Sequence, residues 1–317
     1  MAKTKAGKNI PQAVPSPSKE GFSLISDEKL VAIYAAMAKY RMIERRAESL
    51  FQHGQLVGDF HVSAGREASA AAVVIDLRAG DALSLAPGDR MPGFAKGASL
   101  ENTFRALSVE EKERNRGHIA LEANEYLRLN IVAPADAATQ IGAVREFAKT
   151  AKEEKNGNIV VAFFTTDAQM LASWEDAKTF AAANGLPVIF VHHGYEQAER
   201  EVGAADATGD GIPTIVVDGG DAVALYRVAC EGISRARQGR GPTYVKCSAR
   251  RPATALNADC IYPETGKSET APFAVIDPVV NMEAYLKQKG LWNEEIQGQI
   301  VTDFGRELDL ATRFLID

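Results

Sequence analysis

Four short apolar runs constrain the fold of this chain more than any other feature of its sequence. Each run has the length of a β-strand and lacks the alternation of apolar and polar residues that marks a strand with one solvated face. Strands covered on both faces are typical of parallel sheets, and helical patterns separate most of these runs. The sequence therefore predicts an α/β fold with a mostly parallel sheet and helices on both faces. The runs are residues 159–164, 187–191, 214–217 and 243–245.

Helical periodicity is the second clear pattern. A long helix is predicted after Ser26, where Asp27 and Glu28 favour the positive end of a helix dipole, and Gly54 closes it. The remaining predicted helices are residues 66–74, 173–184 and 221–238, together with helices between 279 and 314.

The predicted elements form one domain with appendages. No internal repeat and no linker rich in Pro, Gly and Ser interrupts residues 60–260, so a single α/β domain is expected at 26–275. Residues 1–25 are basic and rich in Pro and Ser, which predicts a disordered tail. Residues 276–317 are expected to form a C-terminal helical extension.

Composition excludes several classes of function. The chain has 36 Lys and Arg against 42 Asp and Glu, a net charge of -6, whereas binding to nucleic acid or to a membrane surface draws on clustered positive charge. The 3 cysteines are odd in number and lack CxxC spacing, so neither a disulfide framework nor a zinc site is implied. We therefore expect a soluble protein of the reducing cytoplasm.

Several motifs follow one another in a fixed order along the chain. They are Gly65-Arg66-Glu67-Ala68, Phe94-Ala95-Lys96-Gly97, Ala138-Thr139-Gln140-Ile141, Gly211-Ile212-Pro213, Val217-Asp218-Gly219 and Gly241-Pro242-Thr243. This collinear series resembles the alpha subunit of the thiamine-diphosphate-dependent 2-oxo acid dehydrogenases, the group that includes pyruvate, acetoin and branched-chain enzymes. The resemblance implies the thiamine-diphosphate-binding fold, in agreement with the predicted parallel sheet.

The resemblance also implies a cofactor site, with thiamine diphosphate and magnesium between an alpha and a beta subunit that decarboxylate a 2-oxo acid. The family's metal ligands are the aspartate of a Gly-Asp-Gly turn and the second asparagine of an Asn-Asn-x-Tyr segment. The matching positions here are Thr166 and His193, with Tyr195 at the tyrosine. Magnesium prefers oxygen ligands, whereas imidazole suits zinc, copper, nickel or iron. Both ligand positions therefore lack the expected chemistry.

Two alternatives would keep a metal near these positions. A one-residue slip would bring Asp167 to the place of the missing aspartate, although a slip reverses side-chain direction on an extended segment. A transition metal held by Asp167, His192 and His193 is the other alternative, but neighbouring histidines on an extended segment point to opposite sides. We therefore expect imidazoles that are surface-exposed or hydrogen-bonded, and no metal site.

The diphosphate position is altered as well. The family's phosphate-binding arginine falls on Gly88, within the segment 87–93. Arg90 lies two residues later and is the alternative phosphate ligand, but Asp89 beside it adds charge of the wrong sign. The Pro and Gly content of the segment favours a solvated turn.

A catalytic histidine is also missing. The family carries an Arg-x-x-x-His-Ser loop after the last strand, and residues 248–259 contain no histidine. A general acid or base must titrate near the working pH, which arginine does not do, so no catalytic residue is predicted. The positions that hold the aminopyrimidine through backbone groups in the family match Ala135 and Ala137, and backbone contacts tolerate substitution.

These features predict a degenerate alpha-subunit paralogue with a structural or regulatory role. We expect it to form its own oligomer or a complex with a beta-type dehydrogenase subunit. The alternative is an active 2-oxo acid dehydrogenase subunit that holds thiamine diphosphate and magnesium through altered contacts such as Asp167, Arg90 and a partner chain. A third hypothesis is that the remnant cleft binds another anionic ligand.

Overall fold

A parallel β-sheet organises the chain. The computed structural model describes residues 25–56, 64–107, 124–134, 136–165, 171–195, 211–249 and 277–315. In these residues six strands pair in the order β2-β1-β3-β4-β6-β5, and every neighbouring pair is parallel. The strands are β1 (Ala82–Ser84), β2 (Ile131–Val132), β3 (Val160–Phe164), β4 (Val188–His192), β5 (Thr214–Asp218) and β6 (Thr243–Ser248). The predicted parallel α/β fold is confirmed, and the four apolar runs correspond to β3, β4, β5 and β6.

Nine labelled α-helices connect or cover these strands within the described residues. They are α1 (Asp27–Gln52), α2 (Glu67–Val74), α3 (Met91–Ala95), α4 (Leu100–Leu107), α5 (Ala137–Glu154), α6 (Leu171–Ala183), α7 (Ala222–Arg237), α8 (Pro278–Lys289) and α9 (Glu294–Ala311). A short helical stretch at 124–128 and a 3-10 turn at Arg313–Leu315 complete the set. The helices predicted at 66–74, 173–184 and 221–238 are confirmed as α2, α6 and α7.

The two faces of the sheet bury separate apolar cores because successive strand residues point to opposite sides. On one face, Phe163 and Val191 belong to a core shared with α1, α2 and α7. On the other face, Phe164 and Phe190 belong to a core shared with α5 and α6. Burial of both faces explains why β3 and residues 188–191 of β4 are apolar.

The C-terminal helices belong to the larger core. Met282 and Leu286 of α8 and Phe304 and Leu308 of α9 are buried with the apolar side of α1. Asp277 caps α8 by accepting hydrogen bonds from the backbone N–H groups of the next turn. The helices predicted between 279 and 314 are therefore confirmed. Searched across the described ranges, no helix is long and apolar enough to cross a bilayer.

Candidate active site

Two of the sequence-predicted residues, His193 and Tyr195, follow the carboxyl end of β4. In an open parallel sheet, the loops at this edge form the usual ligand crevice. His193 follows β4 directly, and its backbone N–H donates to the carbonyl of Phe164 at the end of β3 (3.0 Å). Thr166, Asp167 and Ala135 lie outside the described residues, as does the arginine-containing loop after Ala249.

The two histidines lie on opposite faces of the sheet. The ring of His192 packs on Phe164, with centroids 5.1 Å apart, and that of His193 packs on Phe163 at 4.9 Å. The predicted divergence of the two side chains is thus confirmed. Of the two alternatives expected for these imidazoles, surface exposure is wrong, because His193 has no exposed area and His192 is buried. The cause is position, since His192 ends a central strand whose faces are covered by helices and His193 follows it directly.

Asp89 is the centre of a buried charged cluster on the side of His193. Its Oδ2 atom lies 3.5 Å from His193 Nε2 and 4.0 Å from Arg66 Nη1. Its Oδ1 atom accepts a hydrogen bond from the backbone N–H of Met91 (3.0 Å). The histidine contact is longer than an aligned hydrogen bond, so it is an electrostatic contact.

Arg66 completes this cluster, and the sequence did not single it out as a site residue. Its guanidinium carbon lies 4.2 Å from the ring centroid of Tyr195, a cation–π distance. Tyr195 is itself fixed, because its hydroxyl donates to the carbonyl of Ala64 (2.9 Å). One feature of the sequence could have indicated Arg66. It is a cation directly before the first residue of α2, where the positive end of the helix dipole makes a positive charge unfavourable. We call Arg66, Asp89, His193 and Tyr195 the edge cluster.

The solvated turn predicted at 87–93 is confirmed for Pro87 and Gly88, which are exposed, and is wrong for residues 89–93, which are buried. Asp89 is 3% exposed and Arg90 is 8% exposed. The segment enters helix α3 at Met91, with Pro92 in the first turn, where a missing N–H costs nothing. The Pro and Gly content of the segment correctly indicated a turn. Its burial, however, depends on the neighbouring elements that pack over it.

Burial controls the ionisation of the edge cluster. It raises the pKa of Asp89 above its usual value, although the charge of Arg66 opposes the shift. Burial also holds the pKa of His193 well below its ordinary value, and Arg66 adds to that effect. For His192, burial and then Lys246 lower the pKa to about 4. Both imidazoles are therefore neutral at pH 7, so Arg66 and Arg90 are the cations close to Asp89.

Gln140, in the segment that matches the family's Ala-Thr-Gln-Ile motif, ties two strands together. It is fully buried, and its Nε2 atom donates to the carbonyls of Phe163 (2.6 Å) and Leu85 (2.8 Å) and to Ser84 Oγ (3.1 Å). Ala137, predicted as a cofactor position, is the first residue of the same helix and is half-buried. The segment thus anchors the sheet edge through a side chain.

Comparison with known proteins places this architecture in a family. A family model described as "Dehydrogenase E1 component" matches residues 34–313. The chain belongs to the dehydrogenase E1 component family. The resemblance inferred from the ordered motifs is confirmed, and the match extends beyond those motifs through both C-terminal helices.

Individual relatives of this E1-family chain are enzyme subunits. It is 31% identical to the alpha subunit of acetoin:2,6-dichlorophenolindophenol oxidoreductase from Bacillus subtilis (strain 168), over 74% of this chain and 73% of that protein. It is 29% identical to the alpha subunit of the pyruvate dehydrogenase E1 component from Staphylococcus epidermidis, over 91% and 78%. A solved transketolase mutant from Pichia stipitis, in complex with a sugar phosphate, has a TM-score of 0.49 and 11% identity. That similarity covers 90% of this chain and 45% of the transketolase.

Of the two positions that match the family's metal ligands, only His193 lies among the described residues, and its imidazole does not suit magnesium. No group of three or more His, Cys, Asp or Glu side chains able to hold a metal occurs in the part of the chain that the structure describes. Asp89 and His193 converge as a pair, and the second is an imidazole that magnesium disfavours. Arg66, a permanent cation 4.0 Å from Asp89, repels a metal ion from the same carboxylate.

Proposed function

We propose that this E1-family chain is an alpha-type subunit that has lost magnesium and thiamine diphosphate binding and acts as a structural or regulatory paralogue. Its partner would be a beta-type dehydrogenase subunit or a second copy of itself, and its compartment the cytoplasm. The observation that carries the proposal is the contact of His193 with Asp89 at the carboxyl end of β4.

Charge is the physical basis of this proposal. A magnesium–diphosphate group needs oxygen ligands on the metal, and cations or backbone N–H groups around the phosphates. The edge cluster contains one cation, Arg66, but it places an imidazole at the metal position and a buried carboxylate beside that cation. A carboxylate facing phosphate oxygens in a buried setting raises the free energy of the complex, because like charges repel strongly at low dielectric. The charges of these residues therefore disfavour the binding of a magnesium–diphosphate group.

Contacts within the chain hold the strand ends at this edge of the sheet. The strand ends at this edge are held by Gln140, by the bond from His193 to Phe164 and by the Tyr195 hydroxyl. Such contacts are consistent with a scaffold role.

An active subunit is the second candidate, and the burial of Arg90 favours it. A buried guanidinium near the diphosphate position supplies the positive charge that the family's own arginine, replaced here by Gly88, would have supplied. This candidate requires oxygen ligands from Asp167 or a partner chain to hold the metal.

Calorimetric titration separates the two candidates. The purified chain, alone and mixed with a candidate beta-type subunit, is titrated with thiamine diphosphate in the presence of magnesium, and a catalytically active E1 alpha–beta pair serves as the positive control. Loss of the site predicts no magnesium-dependent binding at micromolar concentration in either sample. Micromolar binding that disappears when magnesium is chelated would overturn the proposal in favour of the active subunit.

A further inference from the structure

A cavity of about 280 Å³ lies at the amino edge of the sheet, opposite the edge cluster. Its walls come from the segments that precede β1 and β2 and from the end of α3. Because β1 and β2 are parallel, the segments before them meet at the same edge. Three cationic side chains line the cavity, those of Arg78, Lys96 and Arg128, and no carboxylate of the described residues lines it.

Hydrogen bonds fix the walls of this cavity relative to one another. Asn130 Nδ2 donates to the carbonyl of Ala79 (3.1 Å), which joins the segment before β2 to the segment before β1. Lys96 Nζ donates to the carbonyl of Leu129, which joins the end of α3 to the segment before β2. The cavity is therefore a defined feature of the fold rather than a gap between loose side chains.

The carboxylates close to the cavity are bound to other groups. Asp81 is fully buried, and its two oxygens accept from Arg237 Nη1 (2.9 Å) and Nη2 (2.7 Å). Glu125 accepts hydrogen bonds from residues around the start of α4. The salt bridges between described residues involve neither Arg78 nor Arg128, and both arginines are exposed.

Helix ends offset only part of the positive charge. Lys96 is the C-cap of α3 and Arg128 ends the helical stretch at 124–128, where the negative end of a helix dipole favours a cation. Such an end carries at most about half an elementary charge, against a full charge on each side chain. Burial lowers the pKa of Lys96 from its usual value, and the charge of Asp81 opposes that shift. An excess of positive charge therefore remains at the cavity.

We propose that this cavity binds a small organic phosphate at the amino edge of the sheet. The two guanidinium groups and the ammonium group bind the phosphate oxygens, and the apolar side chains of Leu77 and Leu129 contact the organic part. The site goes beyond the proposed function and does not depend on it, because none of the lining residues belongs to the edge cluster.

Charge and size define the ligand class. A guanidinium presents a planar fork of N–H groups that matches phosphate oxygens in a bidentate fashion. An excess of positive charge from three side chains favours a phosphate dianion over a single carboxylate. The cavity volume of about 280 Å³ lies just below the range of roughly 300–1,000 Å³ of typical small-molecule sites, so the ligand is smaller than a dinucleotide. Phenyl phosphate is therefore a suitable probe.

The test is calorimetric titration of the full chain in EDTA with phenyl phosphate, inorganic phosphate, phenol and benzoate in separate experiments. We expect saturable one-to-one binding of phenyl phosphate, weaker binding of inorganic phosphate, and no saturable binding of phenol or benzoate. Failure of phenyl phosphate to bind would overturn the inference. Equal binding of phenyl phosphate and benzoate would overturn the preference for a dianion, and equal binding of phenyl phosphate and inorganic phosphate would overturn the role of the apolar wall.

Matched variants identify the residues. Arg78→Gln and Arg128→Gln should each weaken phenyl phosphate binding by roughly threefold to tenfold, since each removes one charge-assisted contact at a partly solvated site. The control is Arg227→Gln, an exposed arginine that lines another cavity together with the carboxylate of Asp221, and it should leave the affinity unchanged. Equal affinity in all three variants would place the anion elsewhere and overturn the assignment.

A measurement on the unmodified chain covers the case in which a variant does not fold. In ¹⁵N-labelled protein, the Nε–H resonances of Arg78 and Arg128 should shift upon addition of phenyl phosphate in EDTA, and that of Arg227 should not. Binding without movement of the first two resonances would contradict the inference.

A last titration separates this inference from the proposed function. Thiamine diphosphate and magnesium are added to the chain after saturation with phenyl phosphate. Binding of the cofactor with phenyl phosphate still bound would overturn the proposed function and support a second site at the amino edge. Displacement of phenyl phosphate by the cofactor would place both ligands at one site and overturn this inference.

Discussion

Arg41 and Asp277 form a two-bond ion pair that joins the first helix of the chain to the C-terminal helices. Arg41 Nη1 donates to Asp277 Oδ2 (2.7 Å), and Nη2 donates to Oδ1 (3.1 Å). The Nε atom of the same guanidinium donates to Glu67 at the start of α2. One side chain therefore ties α1, α2 and α8 together close to the edge cluster.

Removal of the Asp277 charge should destabilise the fold. Asp277→Asn keeps a side chain able to cap α8 but loses the ion pair, and we expect a loss of about 1.5–3 kcal/mol in the free energy of unfolding, because both partners are largely buried. Asp303→Asn removes one member of an exposed pair in α9 and should cost less than about 0.5 kcal/mol. Urea denaturation of the two variants checks the difference, and equal stabilities would contradict the structural role of Arg41.

Acid should weaken the same contact. Burial opposes ionisation of Asp277, but hydrogen bonds and charge from Arg41 outweigh it and hold the pKa of Asp277 below its usual value. A depressed carboxyl pKa contributes stability that is complete above the unfolded value near about 3.9 and is lost as the pH falls through the folded value. Denaturation midpoints between pH 5 and pH 3 should therefore fall less steeply in Asp277→Asn than in the parent chain. Parallel curves would contradict the prediction.

Much of the fold could be predicted from the sequence because its signal is local. The apolar runs at β3 and β4 lack alternation because both faces of each strand are covered. This pattern can be seen in the sequence of each strand alone, without knowing which elements pack against it. Strands β1 and β2 were not predicted. β1 has 3 residues and β2 has 2, which is too few to show any period. Their strand geometry comes from the pairing of β1 with β2 and with β3.

The site could be predicted only in part. The period of two along a strand correctly placed His192 and His193 on opposite faces. The composition of the 87–93 segment identified a turn but not its burial, because burial depends on which elements pack over a turn. Arg66 was missed for the same reason, since its contacts with Asp89 and Tyr195 join residues that are far apart in sequence.

Gln140 should be essential for the alignment of β1 with β3. Gln140→Met preserves length but leaves the buried carbonyls of Leu85 and Phe163 without their donor, and we expect a loss of about 2–3 kcal/mol. Gln297→Met, on an exposed position of α9, should change stability by less than about 0.5 kcal/mol. Thermal unfolding of both variants measures the two losses of stability. A loss in Gln140→Met as small as that in Gln297→Met would show that these hydrogen bonds are dispensable.

Gly219 should not tolerate a side chain, whereas Gly142 should. A Cβ atom at Gly219 would lie 2.9 Å from Ala249 Cα and from the carbonyl oxygen of Ser248, both backbone atoms. Gly219→Ala should therefore cost about 1–3 kcal/mol through strain at the end of β6. Gly142 lies inside α5 with no atom within 4 Å of such a Cβ, so Gly142→Ala should stabilise by about 0.5–1 kcal/mol. Chemical denaturation gives both values, and stabilisation by Gly219→Ala would contradict the close backbone approach.

His193 should make the stability of the folded chain depend on pH. Burial lowers its pKa, so between the unfolded value of about 6.5 and the folded value the unfolded chain binds more protons than the native chain. Stability is therefore complete above about pH 6.5 and falls as the pH decreases, by up to about 1.4 kcal/mol per pH unit for one group. His193→Leu removes the titrating ring. In urea denaturation from pH 7.5 to pH 5.5, its free energy of unfolding should fall less steeply with pH than that of the parent chain.

The control is Phe163→Leu, at the aromatic neighbour of His193. It loses comparable packing without removing a titrating group and should keep the parent slope of stability against pH. An unchanged slope in His193→Leu, or an imidazolium signal from His193 at pH 5.5, would contradict a buried neutral ring at the carboxyl end of β4.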